Sequence, residues 1–96
     1  MTVLVWKCTL RLLDDPESLK EKRGIIRPIL ERMRSTHGLS AAEVGKHDRL
    51  NLAELGFCTV GTDSRKLDSI GEKARNWLES NFRVEIIEEE LSLENY

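Results

Sequence analysis

The chain has 96 residues, of which 40% are hydrophobic and 33% are charged, and its formal net charge is −2. A single domain over residues 1–96 can bury roughly 60% of its unfolded surface without a disulfide framework. No run of eighteen apolar residues occurs and the N-terminus lacks the pattern of a secretory signal, so we expect neither a membrane span nor export. The two cysteines lack metal-ligand spacing, and a cytoplasmic, reduced protein is expected.

The net charge conceals a difference between the two halves of the chain. Residues 1–50 carry ten Lys and Arg against seven Asp and Glu, which gives +3, and residues 51–96 carry five against ten, which gives −5. These values sum to the −2 of the whole chain. An acidic chain is a poor general nucleic-acid binder, but a local basic surface still attracts phosphate. Such a surface is expected in the first half.

The first predicted element is a strand over residues 2–13, in which apolar side chains recur at every second position. This period places one face of a strand in the core and the other face outside. The inner face is predicted to comprise Leu4, Trp6, Cys8, Leu10 and Leu12, and the outer face Val3, Val5, Lys7, Thr9 and Arg11. Asp14-Asp15-Pro16 ends the strand, because proline cannot donate to a ladder.

A helix is predicted next, from a cap at Ser18 to an end at His37-Gly38. Ser18 followed by Glu21 is the pattern of a capping box, and glycine is the residue that most often ends a helix. Apolar residues recur between them at helical spacing, at Leu19, Ile25, Ile26, Ile29, Leu30 and Met33. Pro28 lies inside this pattern and removes one backbone hydrogen bond, so a bend near residues 24–28 is expected.

Four further elements follow, in the order strand, strand, helix, strand. They are predicted over residues 39–46, 53–62, 63–81 and 83–93. The second strand carries Glu43 and is predicted at a sheet edge, and the second helix is capped by Asp63 or Ser64. In the last strand the alternation fails at Ile86-Ile87, which predicts a β-bulge, and Glu88-Glu89-Glu90 is expected to protect an edge from pairing.

The order β-α-β-β-α-β predicts an α+β protein whose helices connect parallel strands by right-handed crossovers. The fold that satisfies these connections is the ferredoxin-like βαββαβ sandwich, with a four-stranded antiparallel sheet in the order 4-1-3-2 and two helices on one face. In this arrangement Trp6 and Phe57 point into the core. The open face then has no aromatic platform on which RNA bases could stack.

Three short motifs carry a resemblance to a known family. They are Ser18-Leu19-Lys20-Glu21-Lys22-Arg23, Ala42-Glu43-Val44 and Ala53-Glu54-Leu55-Gly56. The chain resembles the YlxP-like proteins, small bacterial proteins of unknown function that are often encoded among translation and transcription-elongation factors. The resemblance covers essentially the whole chain. It implies a ferredoxin-like fold and a role linked to RNA or the ribosome, and it implies no catalytic residue. The loop His47-Asp48-Arg49-Leu50-Asn51 departs from the Gln-Asp-x-Trp-Gln of relatives and keeps only Asp48.

The first helix carries the candidate site. Its apolar stripe must face the sheet, so its charged side chains are expected to lie together on the outer surface, where they would attract a phosphate backbone. Lys20, Lys22 and Arg23 crowd the first turn, where the helix dipole disfavours cations. We therefore predict that RNA or another partner binds through Lys20, Lys22, Arg23 and Arg27. The alternative is an ordinary solvated helix face.

Other surfaces offer further alternatives. The half-apolar open face or an edge strand would suit a homodimer or a protein-adaptor module. His47-Asp48 is predicted to be a polar turn, because adjacent residues rarely form a general-base pair and no nucleophile is nearby, and no enzyme is expected. His37 is expected to contact the last carbonyls of the first helix. Cys8 and Cys58 are predicted on opposite faces of the sheet, and no cofactor or metal motif is present.

Overall fold

A computed structural model describes all 96 residues of the chain. The six elements occur in the predicted order. They are β1 (Thr2–Leu12), α1 (Leu19–Ser35), β2 (Ser40–Gly45), β3 (Leu52–Gly61), α2 (Ser64–Asn81) and β4 (Val84–Asn95). The largest departures from the predicted bounds are of two residues. The helix α1 ends at Ser35, before the predicted end at His37-Gly38, and β4 continues two residues beyond the predicted end at residue 93.

The four strands form one sheet in the order β2-β3-β1-β4, and every neighbouring pair is antiparallel. From the opposite edge the same order reads β4-β1-β3-β2. The α+β class and the four-stranded antiparallel sheet with two helices are therefore confirmed. The two central strands are β1 and β3, and the two edges of the sheet are β2 and β4.

The core lies between one face of the sheet and the two helices. Sixteen buried hydrophobic residues from all parts of the fold form a single cluster, and both helices contribute to it, so both pack on the same face. The predicted inner face of β1 is confirmed, since its five residues are at most 1% exposed. At the centre, the rings of Trp6 and Phe57 stack with their centroids 4.6 Å apart.

The bulge predicted in β4 is confirmed and decides where its carboxylates point. Thr9 of β1 pairs with Glu88 and Leu10 pairs with Ile86, so Ile87 is the extra residue. The side chain of Glu89 then lies on the helix side of the sheet. Its Oε1 accepts from Trp6 Nε1 at 2.9 Å, and it also pairs with Arg75 of α2 at 2.8 Å. The middle carboxylate of the acidic run thus has a structural partner as well as a place on an edge strand.

The predicted cap of α1 at Ser18 is confirmed, but the capping box is not complete, since the Glu21 side chain does not bond the Ser18 N–H, and the C-cap of the helix is Thr36. Ser18 Oγ accepts from the Glu21 N–H at 3.1 Å, and the Glu21 carboxylate accepts from the Glu17 N–H at 2.7 Å. At the other end Gly38 has a φ of +66°, a left-handed conformation that glycine adopts without strain. The next residue, Leu39, donates its N–H to the Met33 carbonyl at 3.1 Å. The chain therefore reverses tightly and sets β2 beside α1.

Candidate functional site

Four cations of α1 lie on one side of the helix, and we call them the basic ridge. They are Lys20, Arg23, Arg27 and Arg34, and all four are exposed. Their spacings of three, four and seven residues return to nearly the same side of an α-helix, because each turn takes 3.6 residues. Arg32 falls on a different side of the helix. The ridge therefore contains three of the four predicted binding residues and one, Arg34, that was not predicted.

No ridge cation is neutralised by a carboxylate, since none has an acidic oxygen within 4.0 Å. Elsewhere in the fold the pattern differs. Arg11 pairs with Glu85 at 2.7 Å, and Arg83 pairs with Asp14 at 2.6 Å. The ridge thus presents positive charge that the protein itself does not use in ion pairs.

A groove of about 320 Å³ runs beside the ridge, between α1 and β2. The groove is lined by Arg23, Ile26, Arg27, Leu30, Glu31, Arg34 and Glu43. Arg34 crosses it, because its Nη2 donates to the Ala41 carbonyl of β2 at 2.6 Å. The three arginines therefore border a concave surface with a partly apolar floor, which the helix sequence alone does not reveal.

The prediction that Lys22 points outward with the other cations is wrong. Its side chain is only 2% exposed and lies between α1 and β2. Its Nζ is 3.0 Å from Glu43 Oε2 and donates to the Lys46 carbonyl at 2.8 Å. Glu43 Oε2 has no hydrogen-bond partner, so its contact with Lys22 is an ion pair without hydrogen-bond geometry. Lys22 therefore fastens the start of α1 to the end of β2 and is not available to a ligand.

A signal for this buried lysine is present in the sequence. Lys22 precedes Ile26, Ile29 and Met33 by four, seven and eleven residues, so it belongs to the buried stripe of α1. Glu43 alternates with the exposed residues of β2 and faces the helix. A lysine in an apolar stripe and a carboxylate on the inner face of an edge strand together indicate a buried ion pair, because neither charge is stable alone there.

The open face of the sheet has no aromatic platform in the structure either, since Trp6 and Phe57 are buried beneath the helices. A depression of about 460 Å³ lies on this face. Its lining mixes both charges and comprises Lys7, Cys8, Thr9, Lys46, Glu54, Glu88, Glu89 and Glu90. Lys7 lies 3.5 Å from Glu54, so part of this charge is already paired within the site. Its balance is acidic and does not suit a phosphate.

His37 does not contact the last carbonyls of α1, and that prediction is wrong. Its half-buried ring lies against Trp77 of α2, with centroids 5.1 Å apart, and its Nε2 is enclosed without a hydrogen-bond partner. Burial, and secondarily the positive charge of Arg32, lowers the pKa of His37 below its ordinary value of 6.5. The imidazole therefore helps to close the end of the core in its neutral form.

This environment makes stability dependent on pH. Because the pKa of His37 is lower in the folded chain than in the unfolded chain, its contribution is complete above pH 6.5 and is lost as the pH falls through the folded-state pKa. We expect the free energy of unfolding to decrease on acidification below about pH 6.5. Urea titrations of the parent and of His37→Gln would measure this. The variant should show a shallower slope, and equal slopes would contradict the prediction.

The remaining candidate groups do not converge on a site. His47 and Asp48 lie in an exposed turn between β2 and β3. Cys8 is buried, and this burial raises the pKa of its thiol to about 12, whereas Cys58 is exposed on the opposite face, as predicted. No group of three or more His, Cys, Asp or Glu side chains is placed to hold a metal ion. Neither helix combines the length and apolar character required to cross a membrane.

Comparison with known proteins gives a family but no activity. No curated protein matches the chain. A family model described as "Protein of unknown function (DUF503)" matches residues 3–91, which include both helices, β2, β3 and most of β1 and β4. The basic ridge, the groove and the buried Lys22–Glu43 pair all lie within the matched range. The chain therefore belongs to the DUF503 family.

Proposed function

We propose that this protein is a non-enzymatic factor that associates with RNA or the ribosome through the basic ridge. The observation that carries the proposal is the set of four exposed cations on one side of α1, none of which pairs with a carboxylate. The resemblance to the YlxP-like proteins supports a link to RNA. We also infer that the fold is ferredoxin-like, because the βαββαβ order and the sheet order agree with that topology.

The charge distribution gives an approaching RNA one favourable direction. The ridge borders β2, whereas the carboxylates of β4 lie at the opposite edge of the sheet. A phosphate backbone is attracted to the first side and repelled from the second. Lys20, Arg23, Arg27 and Arg34 can each contact one phosphate, so the affinity should fall steeply as the salt concentration rises.

The geometry favours recognition of RNA shape over reading of bases. Proteins that read single-stranded RNA on an open sheet stack bases on exposed aromatic side chains. Here Trp6 and Phe57 are in the core, and the exposed residues of the central strands include Val5 and Val60. The ridge presents arginine and lysine at helical spacing, which suits the phosphates of a folded RNA. We therefore assign it a role in backbone contact, with little sequence preference.

The test is a salt series with a fluorescently labelled RNA hairpin and with ribosomal subunits, from about 50 mM to about 200 mM salt. The triple variant Lys20→Gln, Arg23→Gln and Arg27→Gln removes three ridge charges. We expect it to weaken binding more than about tenfold and to reduce the slope of log affinity against log salt by roughly 2 to 3.

The matched control removes three exposed charges from α2, with the substitutions Arg65→Gln, Lys66→Gln and Lys73→Gln. It changes the net charge of the protein by the same amount and leaves the ridge intact. Binding by the control should remain close to that of the parent. An absence of binding at low salt, or an equal loss in both triple variants, would refute the proposal.

A second candidate function is that of a protein-adaptor module, and one observation favours it. The outer strand β2 presents an open edge whose side chains are small and, except for the paired Glu43, uncharged. Such an edge is able to pair with a strand of another chain. A homodimer formed through the open face or an edge would be detected by sedimentation velocity, and a monomer at all concentrations would exclude it.

A further inference from the structure

The two edges of the sheet differ in how they resist pairing with another strand. The acidic edge strand β4 carries five carboxylates along its length, and proteins commonly protect an edge with such charges. They are Glu85, Glu88, Glu89, Glu90 and Glu94. The other edge strand, β2, has the sequence Ser40-Ala41-Ala42-Glu43-Val44-Gly45, without proline or lysine. Its one carboxylate is held by Lys22. β2 also has a bulge at Val44, between Glu43 and Gly45, so the part of this edge that is open to a further strand is residues 40–43.

The two sides of β2 offer different surroundings to the side chains of such a strand. On the helix side lies the groove bordered by Arg23, Arg27 and Arg34. On the open side lies a shallow depression of about 310 Å³, lined mainly by small or apolar residues. The residues are Ser40, Ala41, Ala42, Val44, Gly56, Phe57 and Cys58. The groove also contains Glu31 and Glu43, but Glu43 is paired with Lys22 and the three arginines outnumber Glu31, so this side of the edge is net basic. The other side is apolar.

Successive residues of a strand point to opposite faces of a sheet. A strand paired with β2 would place every second side chain over the arginine groove and the intervening side chains over the apolar depression. Main-chain hydrogen bonds supply affinity in this mode of recognition, and the pockets for alternate side chains supply specificity. We propose that β2 binds an extended segment of another protein in which acidic residues alternate with small apolar residues.

The spacing of the arginines fits this segment. Lys22 contacts Glu43 near the end of β2, and Arg34 contacts Ala41 near its start, so α1 and β2 lie side by side in opposite directions. Arg23 and Arg27 are four residues apart, which is about 6 Å along the helix axis. Alternate residues of a strand are about 6.6 Å apart. Two acidic residues at alternate positions can therefore meet these two arginines together.

Charge also excludes a second copy of this chain as the occupant. Antiparallel pairing of β2 with the β2 of another copy would bring two α1 helices, and hence two sets of ridge arginines, close together. Pairing of β2 with the β4 of another copy would place Glu88 and Glu90 beside the apolar depression. This head-to-tail contact would also not form a closed dimer. A segment of a different protein avoids both conflicts. The inference rests on the adaptor function and does not require RNA binding.

The test uses labelled twelve-residue peptides and the full chain. The first peptide alternates glutamate with valine or alanine, the second alternates lysine with the same apolar residues, and the third has the composition of the first with its glutamates grouped together. Fluorescence anisotropy should show binding of the first peptide at least about tenfold tighter than binding of either control peptide. Amide NMR shifts and slowed hydrogen exchange should then concentrate in β2.

Two variants examine the two sides of β2 separately. Ala42→Lys introduces a charge at an exposed position beside the apolar depression, and Arg27→Gln and Arg34→Gln together remove charge from the groove. Each change should weaken the alternating peptide at least about fivefold. Arg65→Gln with Lys66→Gln on α2 is the control for charge and should have little effect.

Four outcomes would overturn the inference. Equal affinity for the alternating and grouped peptides would indicate binding by charge alone, without an added strand. Amide perturbations confined to α1 would also indicate binding by charge alone, without an added strand. Growth of the protein into larger species at high concentration, without peptide, would identify the second copy as the occupant. A result in which RNA binds and the peptide does not would reject this inference and leave the proposed RNA function standing.

Discussion

Replacing Lys22 with alanine is expected to lower the free energy of unfolding by about 3 kcal/mol. The substitution removes a nearly fully buried ammonium group that lies 3.0 Å from Glu43 Oε2 and donates to the Lys46 carbonyl. Loss of one partner from a buried ion pair costs roughly 3–5 kcal/mol, because the other charge is left without compensation. The Glu43 side chain retains 20% exposure, so we expect the lower end of that range. Urea titration followed by circular dichroism measures the change.

Two companion variants separate the ion pair from the basic character of α1. Lys20→Ala removes an exposed cation from the same turn and should change stability by less than about 0.5 kcal/mol. The double variant Lys22→Met with Glu43→Leu removes both charges and keeps apolar volume, so it should recover most of the lost stability. If Lys22→Ala lowered the free energy of unfolding no more than Lys20→Ala, the buried ion pair of Lys22 would be contradicted.

Replacing Trp6 with alanine is expected to cost about 3–5 kcal/mol. The indole is fully buried at the centre of the sheet, stacks on Phe57 and donates its Nε1 hydrogen to Glu89. Truncation would therefore open a large cavity and leave Glu89 with Arg75 as its remaining partner. Because the chain has one other tryptophan, Trp77, unfolding can still be followed by fluorescence and by circular dichroism.

Two milder substitutions serve as comparisons for the stability loss in Trp6→Ala. Trp6→Phe preserves most of the ring volume but removes the N–H donor, so it should cost about 1–2 kcal/mol. Trp77→Ala removes a half-buried ring that packs against His37 and Phe82, and it should cost less than Trp6→Ala. If Trp6→Phe were as damaging as Trp6→Ala, the hydrogen bond to Glu89 and not the packing would dominate.

The strands and helices could be predicted because their signals are local. Alternation in β1 identified the five residues of its inner face, and the broken phase at Ile86-Ile87 identified the bulge. Thr9, which alternation assigned to the outer face, is buried as well. Ser18 marked the start of α1 as its N-cap, and Gly38 marked the chain reversal that follows the helix. Short connections then restricted the order of the strands, since each helix joins two parallel strands.

What the sequence did not reveal depends on contacts between distant elements. The basic run 20–23 predicts Lys22 as a surface cation, and the weaker signal of its place in the apolar stripe gains meaning only from Glu43, 21 residues away on β2. His37 was assigned to the end of its own helix, but its ring packs on Trp77 of the other helix. Both errors assigned a polar residue to surroundings that are close in sequence. In the folded chain each side chain instead contacts a residue of another element.

The candidate site was predicted in part. Lys20, Arg23 and Arg27 are exposed, as their helical positions suggested, whereas the groove and the role of Arg34 follow from the placement of β2. A concave surface between two elements cannot be read from one of them. The pattern of cations on α1 indicates a basic surface, and the neighbouring strand gives that surface its concave shape.

The two polar contacts that join α1 to β2 differ in their exposure to water, and this difference determines which end of the groove opens more easily. At one end the Lys22–Glu43 pair is shielded from water, so salt and solvent weaken it little. At the other end Arg34 is exposed and its single hydrogen bond to Ala41 can exchange for water. We therefore expect the Lys22–Glu43 ion pair to persist when the groove opens and the Arg34–Ala41 hydrogen bond to break. A ligand should enter the groove from the Arg34 end, by displacing this hydrogen bond.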